Sequence, residues 1–452
     1  MNIKMPPPIE AQPFAIIAAN FPNKLDSYVK YFSATDDKGR YLPFDELRHR
    51  IDGSLNHSLV WSLTKYARRS QQNKVIALGE PQKVCHYALT PLIQKAISEV
   101  DRNTTSASLE WISSKIGEKS QVQYLLNDLI EDESISSSQL EGAATTTRAA
   151  KDLLKRNRKP RSEDERMILG NYKMMLFAWD KRNEPLSIDL LLDMHKVGVE
   201  GIDDDTYTPG NFRQSNDVHV VDSDGNVVHA PPPFETIERR LGHIIDWANT
   251  DHDEYEDQSY LHPLIKAITL HFCIGYEHPF RDGNGRVARA LFYWYMFKKD
   301  FAAFRYIAIS VLLKMAPIKY GKSYIHTETD GMDLTYFIEH QGSVIIRAID
   351  KFKKSYKQTA FEIERFNEWM FKSGLYRHLN DKQRTVFQVA KNGTAIVFTI
   401  RGVENKLGCS YNTASAVLNG LVHLKLFRKV KEGREWLYLM EEKNHIIETW
   451  SS

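Results

Sequence analysis

The segment from His278 to Arg289 concentrates groups that can do chemistry on phosphates. It contains an imidazole, the carboxylate of Asp282, a Gly-Asn-Gly turn at 283–285, and two arginines. Glycines allow backbone angles that other residues resist, so successive N–H groups can point into one concavity beside the positive end of a helix. We interpret the segment as a binding site for the phosphates of a nucleotide.

The side chains of this segment predict a division of roles. Asp282 supplies the hard oxygen ligand that suits a Mg²⁺ ion shared with phosphate oxygens. Arg286 and Arg289 are three residues apart on a predicted helix, so we expect them to share one face and reach the same polyphosphate. His278, with a usual pKa of about 6.5, can take a proton from an incoming hydroxyl near neutral pH.

Two apolar helices are predicted to hold the segment rigidly. Apolar residues recur at helical spacing on both sides of it, which indicates a helix before the loop and another after it. These residues are Leu261, Ile265, Ile268 and Phe272 before the loop, and Ala288, Leu291, Phe292 and Tyr295 after it.

The segment matches the signature His-Pro-Phe-x-Asp/Glu-Gly-Asn-Gly-Arg-x-x-Arg and therefore resembles Fic-domain proteins. A chance match at nine specified positions is on the order of one in a billion. Most members of that family transfer AMP from ATP to a hydroxyl group of a target protein. The resemblance implies a mainly α fold with a Fic-type helical core, ATP as substrate, Mg²⁺ on Asp282, and His278 as the base. It also implies phosphate contacts from Gly283, Asn284, Gly285 and Arg286, and a γ-phosphate contact from Arg289.

A second motif, Ser137-x-x-x-Glu141-Gly142, lies on the N-terminal side of the first. It resembles the inhibitory pattern Ser/Thr-x-x-x-Glu-Gly/Asn of regulated Fic proteins. The helical pattern around it is predicted to break over residues 134–142. An alternative interpretation is that Glu141 is a solvated residue at a helix end, followed by a glycine cap.

The resemblance places an inhibitory helix near residues 120–142, in the Fic group whose inhibitory helix is N-terminal. It implies that Glu141 forms a bidentate pair with Arg289 and so removes that arginine from the γ-phosphate. Ser137 is one helical turn from Glu141, so we expect its hydroxyl to orient the carboxylate or the helix end.

Two short β-prone runs around a turn at 222–226 predict a hairpin in this otherwise helical chain. In Fic proteins a comparable hairpin, the flap, covers the active site and pairs with an extended segment of the target. The two histidines of the hairpin could suggest a metal pair, but no third ligand is evident, and surface histidines are the favoured interpretation. The residues predicted to dock the target are Val218, His219, Val220, Val227, Val228 and His229.

Composition argues against several classes of partner, cofactor and location. The 452 residues include 60 basic and 58 acidic side chains, so no global charge favours nucleic acid or a membrane. Three cysteines without a CxxC pair argue against a disulfide framework or a cysteine zinc site. There is no signal core or long apolar run, and we expect a cytoplasmic protein that does not enter a membrane.

Three regions are predicted: a mixed N-terminal region over 1–110, a catalytic domain over 111–372 and a winged helix-turn-helix domain over 373–452. The candidate recognition helix at 410–421 carries polar but uncharged residues. DNA binding is therefore a less favoured prediction than protein docking or a homodimer. Phosphate contacts would have to come mainly from Lys425, Arg428, Lys429, Lys431 and Arg434.

Several functions stay open within this interpretation. Transfer of AMP to a Ser, Thr or Tyr hydroxyl is the leading one, and Gly285 favours it because kinase-like relatives carry lysine there. A glutamate such as Glu141 also positions water for AMP removal in some relatives. Nucleotides such as UTP are not excluded, and a DNA-binding regulator with a nucleotide-sensing Fic domain is the alternative of another class. Tyr320 and Tyr324 share a predicted helix face, for which core packing is favoured.

Overall fold

The computed structural model is mainly helical with small antiparallel sheets. It describes residues 3–110, 131–155, 158–202, 208–222, 224–254, 260–391, 397–432 and 435–450. The predicted inhibitory helix is thus described from residue 131 onward, and Ser223 and Arg434 lie outside the described residues. The chain divides into two compact units. Unit 1 comprises residues 1–106 and 129–349, and unit 2 comprises residues 107–128 and 350–452.

The first hundred residues combine short helices with one antiparallel hairpin. Asn56 caps the start of the helix His57–Arg69, because its side-chain oxygen accepts hydrogen bonds from the backbone N–H groups of Ser58 and Leu59. The elements are α1 (Pro13–Asn20), α2 (Leu25–Val29), α3 (Phe44–Leu47), α4 (His57–Arg69), β1 (Gln72–Leu78), β2 (Lys83–Ala88) and α5 (Pro91–Asn103).

These residues belong to the same compact unit as the predicted catalytic core, although the sequence analysis separates them at residue 110. Buried polar contacts join the two parts. Lys65 Nζ lies 2.9 Å from a carboxylate oxygen of Asp330, and Tyr41 donates a 2.7 Å hydrogen bond to Asp333. Local periodicity carries no signal of such long-range contacts. The boundary predicted at residue 110 therefore does not separate two compact units of the structure.

The rest of unit 1 is built around two helices that are buried on almost every side. These are α10 (Pro263–Glu277) and α11 (Asn284–Lys298), and they confirm the predicted pair of apolar helices on either side of the loop, which comprises residues 278–283. The neighbouring elements are α6 (Thr147–Lys155), α7 (Glu163–Asp180), α8 (Ile188–Val199), β3 (Val220–Val221), β4 (Val227–His229), α9 (Ile237–Asn249), α12 (Ser310–Met315) and α13 (Pro317–Thr329).

Residues 131–140 are helical, so the predicted break over 134–142 is wrong for most of its length. Serines have modest helix propensity, but here tertiary contacts override it. Ser134 and Ser138 are fully buried, and the Ser138 hydroxyl donates to the Ser134 carbonyl. The helix ends where predicted, because Gly142 adopts a positive φ of 103°.

Unit 2 has its own apolar core, which includes Phe387, Leu418 and Tyr438. Its three-stranded sheet has the order β5-β7-β6, with both neighbouring pairs antiparallel. The long helix α14 (Thr335–Ser373) leads into it, followed by α15 (Asp381–Lys391), β5 (Val397–Phe398), α16 (Ile400–Leu407), α17 (Tyr411–His423), β6 (Phe427–Glu432), β7 (Glu435–Met440) and α18 (Lys443–Trp450).

Among the described residues, the helices are all too short or too polar to span a lipid bilayer.

Candidate active site

His278 occupies the turn that ends α10, where the backbone adopts a left-handed φ of 46°. Its Nδ1 lies 3.2 Å from the carbonyl oxygen of Gly275. A carbonyl only accepts hydrogen bonds, so Nδ1 carries the hydrogen and Nε2 keeps its lone pair. Burial lowers the pKa of His278 to about 4. The ring is therefore neutral at physiological pH and can accept a proton at Nε2.

The loop after His278 is closed by its own asparagine. The Asn284 amide nitrogen donates to the Phe280 carbonyl at 2.8 Å, and its amide oxygen accepts from the Phe280 N–H at 2.9 Å. The sequence interpretation assigns Asn284 to the phosphates, whereas the structure engages its side chain with the loop backbone. Asn284 thus shapes the turn, and phosphate contacts from it would have to use the backbone.

Gly283 precedes α11 in the left-handed region with φ 82°. A Cβ there would lie 3.2 Å from Val199 and 3.3 Å from His195. The turn therefore needs glycine for both conformation and space. The first N–H groups of a helix lack partners within it, so those of α11 are free of helical hydrogen bonds at this turn. The anion-binding concavity stays a prediction.

The two arginines of the motif have different partners. Arg286 is fully buried, donates to the Gly198 carbonyl at 3.2 Å, and lies 3.8 Å from an Asp282 carboxylate oxygen. Arg289 instead contacts the 131–140 helix. Their joint reach toward one polyphosphate stays a prediction.

Arg289 is held by both residues of the predicted inhibitory motif. Its Nε donates to the Ser137 hydroxyl at 2.9 Å, and its Nη2 donates to the Ser137 carbonyl at 3.1 Å. Nη2 also donates to Glu141 Oε1 at 2.7 Å. The structure therefore brings Glu141 and Arg289 together as predicted. The contact uses one carboxylate oxygen rather than the expected two, and Ser137 holds the guanidinium rather than the carboxylate.

The Glu141 carboxylate also fills the space above the glycine turn. A Cβ on Gly285 would overlap Glu141 Oε1. Burial alone would raise the pKa of the Glu141 carboxyl, but the Arg289 guanidinium beside it keeps that pKa below its usual value. The carboxylate is thus ionised. Glu141 does lie at the helix end before a glycine cap, as the alternative interpretation holds, but its side chain is paired with Arg289 and is 27% exposed rather than fully solvated.

A cavity of about 360 Å³ joins these groups to the predicted hairpin. Tyr320 and Tyr324 line it, and both rings also pack against Phe337, as the core-packing prediction expects. Arg289 Nη1, beside Gly285, is buried and has no hydrogen-bond partner among the described residues, which suits an anion in this cavity. The lining includes Leu140, Glu141, Val220, Val221, Val228, His229, Gly275, His278, Gly285, Arg289, Pro317, Gly321 and Ile325.

The hairpin is shorter than predicted. β3 and β4 pair antiparallel with Val220 opposite His229, while Val218 and His219 precede β3. Val221 and Val227 are more than half exposed. His229 is buried, so the prediction of a surface histidine is wrong for it, and the described residues contain no cluster of three metal-binding side chains.

Asp282 has the chemistry expected of a Mg²⁺ ligand. Its side chain is 41% exposed and stands at the edge of the glycine turn. Mg²⁺ usually takes one or two protein carboxylates and fills its remaining positions with phosphate oxygens and water. One carboxylate beside a phosphate-binding turn therefore fits this ion, provided that a nucleotide supplies the other ligands.

Sequence reasoning missed two residues that fix the loop from outside the motif. Arg213 Nε donates to the His278 carbonyl at 2.9 Å. His195 Nδ1 accepts from the Gly210 N–H at 3.1 Å, and its Nε2 is 3.1 Å from the Asp282 carbonyl. His195 is therefore a neutral ring that links α8 to the loop.

Replacing His195 with phenylalanine keeps the stacking on Phe280 but removes both hydrogen bonds. We expect a loss of about 1 to 3 kcal/mol in unfolding free energy at pH 7.5. Burial lowers the pKa of His195 to about 4, whereas an unfolded histidine titrates near about 6.5. As the pH falls from about 6.5 towards about 4, His195 becomes protonated in the unfolded state but stays neutral in the folded state. Protonation therefore stabilises the unfolded state and lowers the unfolding free energy of the chain that carries His195.

The stability difference between the native chain and His195→Phe should therefore narrow by about 1 kcal/mol between pH 7.5 and 5.5. Urea unfolding at both pH values measures it. The exposed His49 gives a matched control. The difference in unfolding free energy between the native chain and His49→Phe should be the same at both pH values. A difference for His195→Phe that does not vary with pH would show that His195 is not held neutral.

Comparison with known proteins assigns the same region to a family model. Residues 185–296 match the Fic/DOC family. The protein adenylyltransferase Fic of Nematostella vectensis is 32% identical over 111 residues, which are 25% of this chain and 23% of that protein. The protein adenylyltransferase fic-1 of Caenorhabditis elegans is 32% identical over 121 residues, which are 27% of this chain and 21% of that protein. The chain thus matches less than a quarter of the length of these relatives.

Among solved structures, a Fic family protein from Desulfovibrio desulfuricans G20 aligns with 78% of this chain and 97% of its own. The identity is 16% and the TM-score is 0.48. The family match at 185–296 includes His195, Arg213, the hairpin and the 278–289 segment, but not Glu141.

Proposed function

We propose that this chain, which carries a Fic/DOC domain distantly similar to those of protein adenylyltransferases, transfers AMP from ATP to a Ser, Thr or Tyr hydroxyl of a target protein. We further propose that Glu141 inhibits the reaction in the resting state. The observation that supports both is a single cavity lined by a neutral His278 and by Arg289, whose guanidinium is hydrogen-bonded to Glu141.

In the proposed reaction, the target hydroxyl oxygen attacks the α-phosphorus of ATP. A bond forms between that oxygen and phosphorus, the bond to the β-phosphate oxygen breaks, and pyrophosphate leaves. His278 Nε2 takes the hydroxyl proton as the bond forms. The Nδ1 hydrogen bond to Gly275 fixes the ring in the tautomer that this step requires.

In this proposal the chain stabilises the negative charge of the reacting phosphates with groups held in fixed positions, and it forms no covalent bond to them. The N-terminus of α11 directs its first N–H groups and its dipole toward the phosphates. Arg289 becomes available to the γ-phosphate once Glu141 leaves it. Asp282 would hold Mg²⁺, which neutralises phosphate charge when it is bound.

The direct test is mass spectrometry of the full chain after incubation with MgCl₂ and each nucleoside triphosphate in turn, with and without a cell lysate. We expect an AMP adduct on the chain or on lysate proteins with ATP. Transfer of phosphate alone, or of UMP from UTP, would replace the proposed reaction with one of its relatives. An AMP-modified target that loses AMP only when Glu141 is present would support removal as a second activity.

A second candidate function rests on unit 2. We infer that residues 381–440 form a winged helix that binds DNA through α17 and the β6–β7 hairpin. Antiparallel register places Lys431 opposite Trp436 and Lys429 opposite Tyr438, so these side chains share one face. Lys429 also donates to Asn419 on α17 at 3.3 Å, and α17 contains no carboxylate. The face is therefore basic, with an exposed Trp436 between lysines.

Fluorescence anisotropy with pools of random duplex DNA at two salt concentrations tests this inference. We expect salt-sensitive binding whose logarithmic salt slope falls by about 0.9 for each lysine removed in Lys429→Gln and Lys431→Gln. Exposed Lys372→Gln is the control. No binding across the pools would leave protein docking or a homodimer as the proposed role of unit 2.

A further inference from the structure

The last residue of the hairpin, His229, is wedged between two hydrogen-bond acceptors. Its Nε2 lies 2.7 Å from the carbonyl oxygen of Tyr276. Its Nδ1 lies 2.8 Å from a carboxylate oxygen of Glu328. The side chain is only 8% exposed, so water cannot readily replace either partner.

The donor and acceptor rules decide how many hydrogens this contact holds. The Tyr276 carbonyl can only accept, so Nε2 must donate to it. A neutral ring with its hydrogen on Nε2 would then direct the lone pair of Nδ1 at the ionised Glu328 carboxylate. That arrangement is repulsive, so a hydrogen must lie between Nδ1 and Glu328. Both contacts of the ring are therefore hydrogen bonds, and together they hold it between its two partners.

The position of the ring suits a hydrogen-bond donor. Tyr276 belongs to the last turn of α10, where carbonyl groups lack helical partners. Among the charged neighbours, Glu277 pairs with Arg240 at 2.6 Å. Arg213 donates to the carbonyls of Pro232 and His278. Glu328 on α13 is therefore the carboxylate that faces His229 directly.

This contact ties three elements together at the cavity. His229 ends β4, Tyr276 is two residues before His278, and Glu328 is on the helix that also carries Tyr320 and Tyr324. His229 and Glu328 both line the cavity. Moving the ring would therefore move the hairpin relative to the imidazole of His278.

We propose that His229 is a positioning residue, whose ring fixes the β3–β4 hairpin over His278 through hydrogen bonds to Tyr276 and Glu328. The positioning of a target segment rests on the proposed function, whereas the tie to α10 and α13 does not.

Hydrogen exchange of the hairpin amides tests the tie without any activity measurement. We expect His229→Gln and Glu328→Leu each to speed exchange over residues 224–229 by about 10-fold, a typical size for the loss of one local closing interaction. The double variant should be no faster than either single variant, because both remove the same interaction. The exposed hairpin residue His219 supplies the control His219→Gln, for which we expect the native rate.

Native exchange rates in His229→Gln or in Glu328→Leu would overturn the proposal. Circular dichroism spectra identify a variant that fails to fold, and the other single variant then carries the test.

The second readout is the transfer assay on a target protein. We expect His229→Gln to raise the KM for the target about 10-fold while the KM for ATP stays within about 2-fold, because positioning acts on the target side of the cavity. An unchanged KM for the target, with faster hairpin exchange, would refute the target-positioning part alone. If the native chain transfers no AMP, the proposed function fails and the exchange result still judges the tie.

Discussion

Replacement of Glu141 with glycine is expected to increase AMP transfer by about 10- to 100-fold. A hydrogen bond between charged groups contributes about 1.5 to 3 kcal/mol, and every 1.4 kcal/mol is about tenfold in an equilibrium constant. In the native chain the Glu141 carboxylate pairs with Arg289, the group that we propose to bind the γ-phosphate. It also lies against Gly285, where a phosphate would approach the turn. Glycine removes both obstacles.

Two control variants separate this explanation from a general loosening of the helix. Glu141→Gln keeps the size of the side chain but not its charge, so we expect an increase smaller than that of Glu141→Gly. Asp132→Gly makes a comparable change in the same helix, at a residue that pairs with Lys151 instead, and should leave transfer unchanged. Mass spectrometry and labelled ATP provide the rates. A Glu141→Gly variant that adds no nucleotide under any condition would refute the regulated transferase.

Replacement of His278 with alanine is expected to reduce transfer by about 10² to 10⁴-fold, the usual contribution of a general base. The comparison is best made in the Glu141→Gly background, where the starting rate is high enough to follow such a fall. ATP affinity, measured by calorimetry in the same background, should change little because the phosphates are expected to bind to α11 and Arg289.

The matched control for this prediction is His243→Ala, on the exposed side of α9. It should keep the full rate. The two measurements together distinguish a lost base from a lost site: weaker ATP binding in His278→Ala would indicate that the loop has collapsed. Equal label with and without His278 would show that another group takes the proton.

The pH profile offers a further check on His278. Burial lowers its pKa to about 4, so protonation of this base should limit kcat/KM only well below pH 6. A fall in kcat/KM with a midpoint near pH 6.5 would indicate that the ring is solvated or that a different group titrates.

The 278–289 segment could be predicted from sequence because its chemistry is contiguous. Spacing alone placed His278, Asp282 and the glycines on one turn between two apolar helices. The contact between Glu141 and Arg289 was accessible only through the resemblance, because 148 residues separate the two in the chain. Geometry within the contact, such as the use of one carboxylate oxygen, depends on packing that no motif specifies.

The residues that sequence reasoning missed act across long separations. His195 reaches the Asp282 carbonyl across 87 residues, and Arg213 reaches the His278 carbonyl across 65. Both bind backbone atoms, so the identity of the partner residue carries no signal. A histidine just before the end of a predicted apolar helix and an arginine in Pro-Gly-Asn-Phe-Arg were the only hints.

The local sequence pattern gave wrong predictions for polar side chains that the tertiary structure buries. The serines of 134–138 predicted a break in the helix, yet neighbouring groups form hydrogen bonds with the Ser138 hydroxyl and the Ser134 carbonyl. Asn171, for example, donates to the Ser134 carbonyl at 2.9 Å. Glu133 similarly accepts from the Ser310 N–H at 2.8 Å. His229 read as a surface residue because its two acceptors lie on other elements.

The Glu141 carboxylate gives the resting cavity a resident counter-ion. Arg289 stays charged and is almost fully buried, and an unpaired charge in such a place is costly. In the proposed function, ATP would therefore replace one anion with another rather than enter a vacant site. In Glu141→Gly the fold itself would lack that anion, so its melting temperature should depend on nucleotide concentration more steeply than that of the native chain. The proposed inhibition and the stability of the nucleotide-free chain would then be two consequences of one ion pair.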